Sequence, residues 1–273
     1  MWKLYSNGTL AAVNMLPIVL LYPQLGQRSR CFYYVFLALS IDTISSVTKL
    51  HDHQARPFWV GQDVQAFDCS NQYGNPSGHS LSSMGMLLAA WLDVNKRASD
   101  DQNHFLHKHS NIRKLLFLIA LILAGAVAYS RLFLGVHSLN QVYYGLQLGA
   151  WFAFTAHYIF REPLLQLVDS LLSAKETRFN YLAIVSTLLL VAALTLQIIN
   201  YENVKSFENP QEWSDMLSAR CGEGSLNNAF QSRSLSDCGL AAMLWGGFIG
   251  ILVLSNCKPK LLEASKESDT LIL

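Results

Sequence analysis

Asn75-Pro76-Ser77-Gly78-His79-Ser80 separates a polar stretch from an apolar run that begins at Leu81. A proline, two small residues and a histidine are an unusual way to open a membrane span. They suit another purpose. The N-terminus of a helix carries free backbone amides and the positive end of the helix dipole, so Ser77 and Gly78 favour an anion there. Gly78 lets the backbone approach that anion closely. His79, in the same turn, adds a group that gains and loses a proton near neutral pH. The stretch therefore reads as an anion site with a proton donor in it, mounted on the first turn of a helix.

The chain around it is that of a membrane protein. Of 273 residues, 51% are hydrophobic and 14% charged. The charge is well below the roughly 25% of an ordinary soluble domain. The apolar residues also gather into long runs, with the charges in the gaps between them. Seven runs are expected as spans: 10–22, 31–50, 78–94, 115–134, 139–160, 181–199 and 240–254. The first is short and interrupted by Pro17, so a core-packed or interfacial helix is the alternative for it. Helices satisfy their own backbone in lipid. The expected fold class is thus all-α: a multi-pass transmembrane helical bundle of about seven spans, forming a single membrane-embedded domain over 1–273. A net charge of +1 without a basic stripe argues against a nucleic-acid partner. Membrane lipids are the expected surroundings.

Charge orients the bundle. Most of the 20 Lys and Arg fall in 24–30, 95–114, 161–178 and the tail from Lys258, which marks that side as cytoplasmic. The N-terminus, 51–76 and 201–237 then lie on the lumenal or extracellular side, and the C-terminus is cytoplasmic. The sequon Asn7-Gly8-Thr9 agrees. Cys69, Cys221 and Cys238 fall on that side too, where a disulfide persists; a disulfide and reduced thiols both fit their placement. None of the five cysteines forms a metal-binding pattern.

Three clusters converge on the non-cytoplasmic side: Lys49 to Arg56 and Pro57, then Pro76 to His79, then Ser130, Arg131 and His137. Together they supply what phosphoryl transfer needs. Lys49, Arg56 and Arg131 hold charged oxygens, and the arginines can do so bidentately. Two histidines remain, one to attack phosphorus and one to protonate the leaving oxygen. Taken singly, each cation would be an interfacial anchor and each histidine a hydrogen-bonded core residue.

The ordered set Lys-x6-Arg-Pro, Pro-Ser-Gly-His and Ser-Arg-x5-His resembles the signature of the type-2 phosphatidic acid phosphatase superfamily. That superfamily includes lipid phosphate phosphatases, glucose-6-phosphatase and the vanadium haloperoxidases. The resemblance covers about 32–160. It implies that His137 is the nucleophile that forms a phosphohistidine and that His79 is the general acid. Lys49, Arg56, Arg131, Ser77 and the Gly78 amide would bind phosphate. It implies a phosphorylated lipid or sugar substrate and no metal or other cofactor. Many members carry Asp four residues after the nucleophile; here Gln141 stands there. A glutamine oxygen can accept the Nδ1–H bond and orient the ring, but it brings no charge. Gln141, Arg56-Pro57-Phe58-Trp59 and the placement of Cys69 are similar to the glucose-6-phosphatase branch, and to its endoplasmic reticulum setting. Against that branch stand the seven runs, where glucose-6-phosphatase has nine spans, and Leu134-Gly135-Val136-His137, which resembles lipid phosphatases. The competing expectation is a non-catalytic membrane subunit that keeps the fold.

Other residues attract attention less strongly. Asp42 is costly in mid-span unless paired or facing a cavity. His51 and His53 read as loop residues near the entrance, and the stretch 95–113 as a solvated loop. Trp59, Trp91, Tyr143 and Tyr144 suit an interfacial belt or packing. The segment 201–237 reads as a large polar loop on the site's side, and 267–272 resembles a sorting signal.

Overall fold

The computed structural model describes residues 28–102, 105–172, 179–222 and 239–257, and these are helical with no strand among them. The run 10–22, the sequon, Cys238 and the tail after Cys257 lie outside the described residues. In chain order the helices are α1 (Arg28–Asp52), α2 (Pro57–Val60), α3 (Gly78–Asp100), α4 (Phe105–Lys108), α5 (Ser110–Phe133) and α6 (Leu139–Thr155). A π-helical turn, Ala156–Phe160, continues α6 into α7 (Arg161–Leu172); α8 (Phe179–Ser206), α9 (Gln211–Cys221) and α10 (Gly239–Cys257) follow.

Helix α3 is the axis of the bundle, with α6, α5 and α1 packed around it. Tyr33, Leu37 and Ile41 of α1 meet Leu81, Met86 and Ala89 of α3 and Phe152 and Ala153 of α6 in one buried cluster. Small residues set how closely α3 and α6 approach. A Cβ at Gly145 would lie 2.7 Å from the Ser77 carbonyl oxygen, and one at Gly149 only 2.4 Å from that of Leu81. Backbone contact of this kind holds membrane helices together, because lipid tails offer no hydrophobic drive between them. It also explains a weak sequence signal. Four described helices are long and apolar enough to cross a membrane: Arg28–Val60, Ser110–Phe133, Asn180–Ser206 and Gly239–Cys257. The expected spans 78–94 and 139–160 are the helices α3 and α6. Buried Ser80, Ser82, Ser83 and Gly85 dilute the apolar content of α3, whose neighbours take the outer positions. Helix α5 does turn Leu118, Ile119 and Ile122 outward.

A charged lock closes the far end of the bundle. Asp93 of α3 is fully buried. Arg161 Nη2 and Nε donate to its Oδ1 at 2.6 and 2.8 Å, and Arg30 pairs with its Oδ2. The Tyr34 hydroxyl donates to Oδ2 at 3.1 Å. Removing one partner of such a pair leaves an uncompensated buried charge, at a cost of about 3–5 kcal/mol. The lock ties α1, α3 and the start of α7 together at the end opposite His79.

The segment expected as a polar loop over 201–237 is largely helical up to Cys221 and folds onto the chain between α1 and α3. Cys69 and Cys221 form a disulfide. Arg220 donates to the carbonyls of Phe58, Gln62 and Val64 at 3.0, 2.7 and 2.6 Å. Trp213 packs on Trp59, with ring centroids 6.0 Å apart, so Trp59 is buried rather than interfacial. The described residues of 95–113 are more helical than a loop: α3 runs to Asp100, α4 spans Phe105–Lys108, and His107 Nδ1 donates to the Ala98 carbonyl at 2.8 Å. Trp91 donates to the Arg113 carbonyl at 3.0 Å.

Candidate active site

Antiparallel packing brings the end of α1, the start of α3, the end of α5 and the start of α6 to one end of the bundle. Lys49 sits in the last turn of α1 and Arg131 in the last turn of α5. Ser77 caps α3, whose first residues are Gly78 and His79. Arg56 precedes α2, where Pro57 at the first helical position has no N–H to satisfy. His137 lies between α5 and α6, and Gln141 in the first turn of α6. The eight residues singled out in the sequence are therefore gathered at one end.

His137 is the centre of the cluster. It is 4% exposed, and its two ring nitrogens face different partners. Nδ1 lies 2.8 Å from the Gly74 carbonyl oxygen and 3.4 Å from Gln141 Oε1. Both oxygens can only accept, so Nδ1 carries the proton and Nε2 keeps a lone pair. Arg56 Nη1 donates to Nε2 at 3.1 Å. Burial, then Arg56, Lys49 and Arg131, hold the His137 imidazole well below its ordinary pKa, so the ring is neutral.

The cations are fixed by the chain between α2 and α3. Arg56 is buried, and donates through Nε to the Gln72 carbonyl at 2.6 Å and through Nη1 to the Val136 carbonyl at 2.8 Å. Lys49 Nζ donates to Gln72 Oε1 at 3.1 Å. It also lies beside Gly78, where a Cβ would come within 3.5 Å of Nζ. Arg131 pairs with Asp68 at 3.7 Å, next to the disulfide at Cys69. Arg131, Lys49 and Arg56 all act electrostatically on His79, as they do on His137. Ser77 is fully buried; its N–H donates to the Gln141 carbonyl at 3.0 Å, and its Oγ accepts from Ser80 at 2.9 Å. Three cations around a neutral imidazole form a field that suits a multiply charged oxyanion.

Gln141 is tied down on several sides. Its Nε2 donates to the Ala55 carbonyl at 2.8 Å, and its Oε1 accepts from the Ser138 N–H at 3.2 Å. The nearer anchor of the His137 ring is Gly74, which sequence reading passed over. A Cβ at Gly74 would stand 2.5 Å from Gln141 Nε2, so any side chain there displaces the Gln141 amide. Asp68, Gln72 and Asn75 were also missed; Asn75 Nδ2 donates to Asp52 Oδ2 at 2.6 Å. The one available signal was the density of polar residues between Cys69 and Pro76. Asp42 is partly buried within α1. His51 is exposed. His53 stacks on Phe207 with ring centroids 4.5 Å apart.

Residues 30–164 match the PAP2 superfamily, and this stretch contains all eight of these residues. No curated protein and no solved structure matches the chain.

Proposed function

Because that match supports placing the chain in the PAP2 superfamily, a group generally of phosphatases and phosphoesterases, we propose that it is an integral membrane phosphohydrolase that releases phosphate from a phosphomonoester. Lys49, Arg56 and Arg131, with Ser77 and the Gly78 amide, hold the phosphate oxygens. His137 Nε2 attacks phosphorus, and the N–P bond forms as the P–O bond to the leaving group breaks. His79 gives its proton to the departing oxygen; the charge of the bound phosphate offsets the nearby cations and favours the imidazolium it needs. Water then attacks the phosphohistidine, the N–P bond breaks, and His79 takes the proton from water. One ester bond and one water are consumed, and an alcohol and inorganic phosphate leave. Gly74 and Gln141 orient the nucleophile, and no metal or cofactor takes part.

The observation that carries this reading is the state of His137: Nδ1–H pinned on Gly74, and the Nε2 lone pair turned to Arg56. The site opens to the lumenal or extracytoplasmic side of about seven spans, α3 and α6 among them. The N-terminus is lumenal and the C-terminus cytoplasmic, in the endoplasmic reticulum or another endomembrane. The Cys69–Cys221 disulfide at the site's end of the bundle supports that side, as does the gathering of Lys and Arg at the other end. The substrate is a lipid phosphate or a sugar phosphate such as glucose 6-phosphate. Phosphate release from purified protein, run on glucose 6-phosphate, phosphatidate, a sphingoid-base phosphate and prenyl diphosphates, tests the function and assigns the substrate class. Release from none of them points instead to a non-catalytic subunit.

A further inference from the structure

The end of α1 and the turn that opens α3 are joined by a pair that takes no part in the proposed chemistry. Asn75 Nδ2 donates to Asp52 Oδ2 at 2.6 Å. Asn75 is 8% exposed, and the Asp52 side chain is only partly so. A carboxylate can only accept, so the nitrogen is the end of the Asn75 amide that faces it. The other carboxylate oxygen, Oδ1, lies 3.2 Å from Nδ1 of the exposed His51. Hydrogen bonds to a charged acceptor are about twice as strong as neutral ones.

The pair stands between two groups of the candidate site. Asp52 is the last residue of α1, and Lys49 lies in the same final turn. Asn75 follows Gly74, whose carbonyl accepts from His137, and Ser77 just beyond it caps α3. Where Asn75 is held therefore decides where Ser77, Gly78 and His79 stand relative to Lys49, whose Nζ comes within 3.5 Å of a Cβ built on Gly78. The backbone braces the pair. The Gly74 N–H donates to the Gln54 carbonyl at 2.7 Å. Between Asp52 and Gln54, His53 turns the chain back with φ of +48°. That left-handed conformation is uncommon for a residue with a side chain and persists where its surroundings over-determine it. Here His53 stacks on Phe207, meets Tyr73 edge-on with ring centroids 5.2 Å apart, and donates its N–H to the Lys49 carbonyl at 3.3 Å. The charges that act on His79 are those of Arg131, Lys49 and Arg56, so the part left to Asp52 is geometric.

We propose that Asp52 is a positioning residue of the phosphate site: through Asn75 it holds the turn 77–79 at the distance from Lys49 at which one phosphate group meets both. The proposal rests on the reading of Lys49, Ser77 and Gly78 as phosphate ligands, and it holds whether or not the bound phosphate is hydrolysed.

The test compares Asp52→Ala, Asp52→Asn, Asn75→Asp and the double variant Asp52→Asn with Asn75→Asp, each as the full chain in nanodiscs. The Kd for inorganic phosphate is measured well below the melting temperature of each variant, beside kcat and KM on p-nitrophenyl phosphate. Asp52→Ala should weaken phosphate binding about tenfold, the worth of one hydrogen bond to a charged group. Asp52→Asn keeps an acceptor in place, at about half the strength, and should weaken it about threefold. Asn75→Asp sets two carboxylates face to face and should weaken it more than Asp52→Ala does. Adding Asp52→Asn to that variant restores the bond with donor and acceptor exchanged, and should recover about fivefold. A substitution that harms the wild type and rescues its neighbour is not the mark of a generally loosened fold. Additive losses overturn the proposal, as do folded variants that bind phosphate like the wild type. Should Asn75→Asp fail to fold, Asp52→Ala against Asp52→Asn decides, and equal losses overturn the proposal. If the wild type binds phosphate but does not hydrolyse p-nitrophenyl phosphate, the proposed reaction fails for that substrate and the affinities still decide the role of Asp52. A wild type that binds no phosphate overturns both.

Discussion

The carbonyl oxygen of Gly74 accepts from Nδ1 of His137 at 2.8 Å, so a backbone group in the loop before α3 sets the tautomer of a ring between α5 and α6. Adding a methyl group at position 74 drives it into the Gln141 amide. Gly74→Ala is therefore expected to lower kcat about 10- to 100-fold, the range expected when a reacting group is misplaced by an ångström or less. KM should change much less. Steady-state kinetics check this; a variant with wild-type kcat would show that the contact does not position His137.

Arg131 and Asp68 are expected to act as a pair. Arg131→Lys loses the planar fork and should raise KM more than it lowers kcat. Asp68→Asn should raise KM as well, through the loss of positioning. In the double variant the losses should fall short of additive by about 0.5–3 kcal/mol, as for residues in contact. A double-mutant cycle on kcat/KM measures that difference, and strict additivity would remove Asp68 from the site.

The Cys69–Cys221 disulfide joins positions 152 residues apart and fastens α9 beside Asp68. Replacing either cysteine by serine should cost about 2–5 kcal/mol of stability. The thermal midpoint of the wild type should fall on reduction, whereas that of the serine variants should not respond. Equal midpoints with and without reductant would show that the bond contributes little.

The pH response follows from His137. Its pKa in the folded protein is well below the roughly 6.5 of an unfolded histidine. Below pH 6.5 the unfolded chain takes up a proton that the folded ring refuses, so stability from this group is present above that pH and is lost as pH falls toward the folded value. His137→Gln lacks this dependence. The stability of the wild type relative to that variant should therefore decline between about pH 7.5 and pH 5. The acid limb of kcat/KM, which reports the free enzyme, should likewise lie below pH 6.5 rather than at it. A constant stability difference, or an acid limb at or above 6.5, would contradict a neutral His137.

The readable parts of the sequence were those carried by side-chain identity. Lys49, Arg56, His79, Arg131 and His137 are titratable groups at fixed spacings, and alternation of the helices sufficed to bring them to one end. Gly74 contributes a carbonyl, which any residue has, so its part could not be seen before the fold. Asp68 and Arg220 act across long sequence separations, and nothing local to either announces its partner. The apolar content of α3 understated its place, because a helix packed through Ser80, Ser82, Ser83 and Gly85 presents small residues where lipid-facing helices present leucine; α6 is strongly apolar but only 17 residues long. Trp59 stayed open between an interfacial belt and packing for a similar reason: Trp213, which covers it, lies in a segment whose composition resembles a loop.

The central claim is that His137 Nε2 carries the phosphoryl group during turnover. Rapid acid-free quenching after incubation with radiolabelled p-nitrophenyl phosphate, followed by peptide mapping, tests it directly. The account predicts an acid-labile, base-stable label on His137, absent in His137→Ala. The label should accumulate in His79→Ala, where the good leaving group needs no acid but water lacks its base. Turnover without label at His137, or an acid-stable label on a serine, would contradict it.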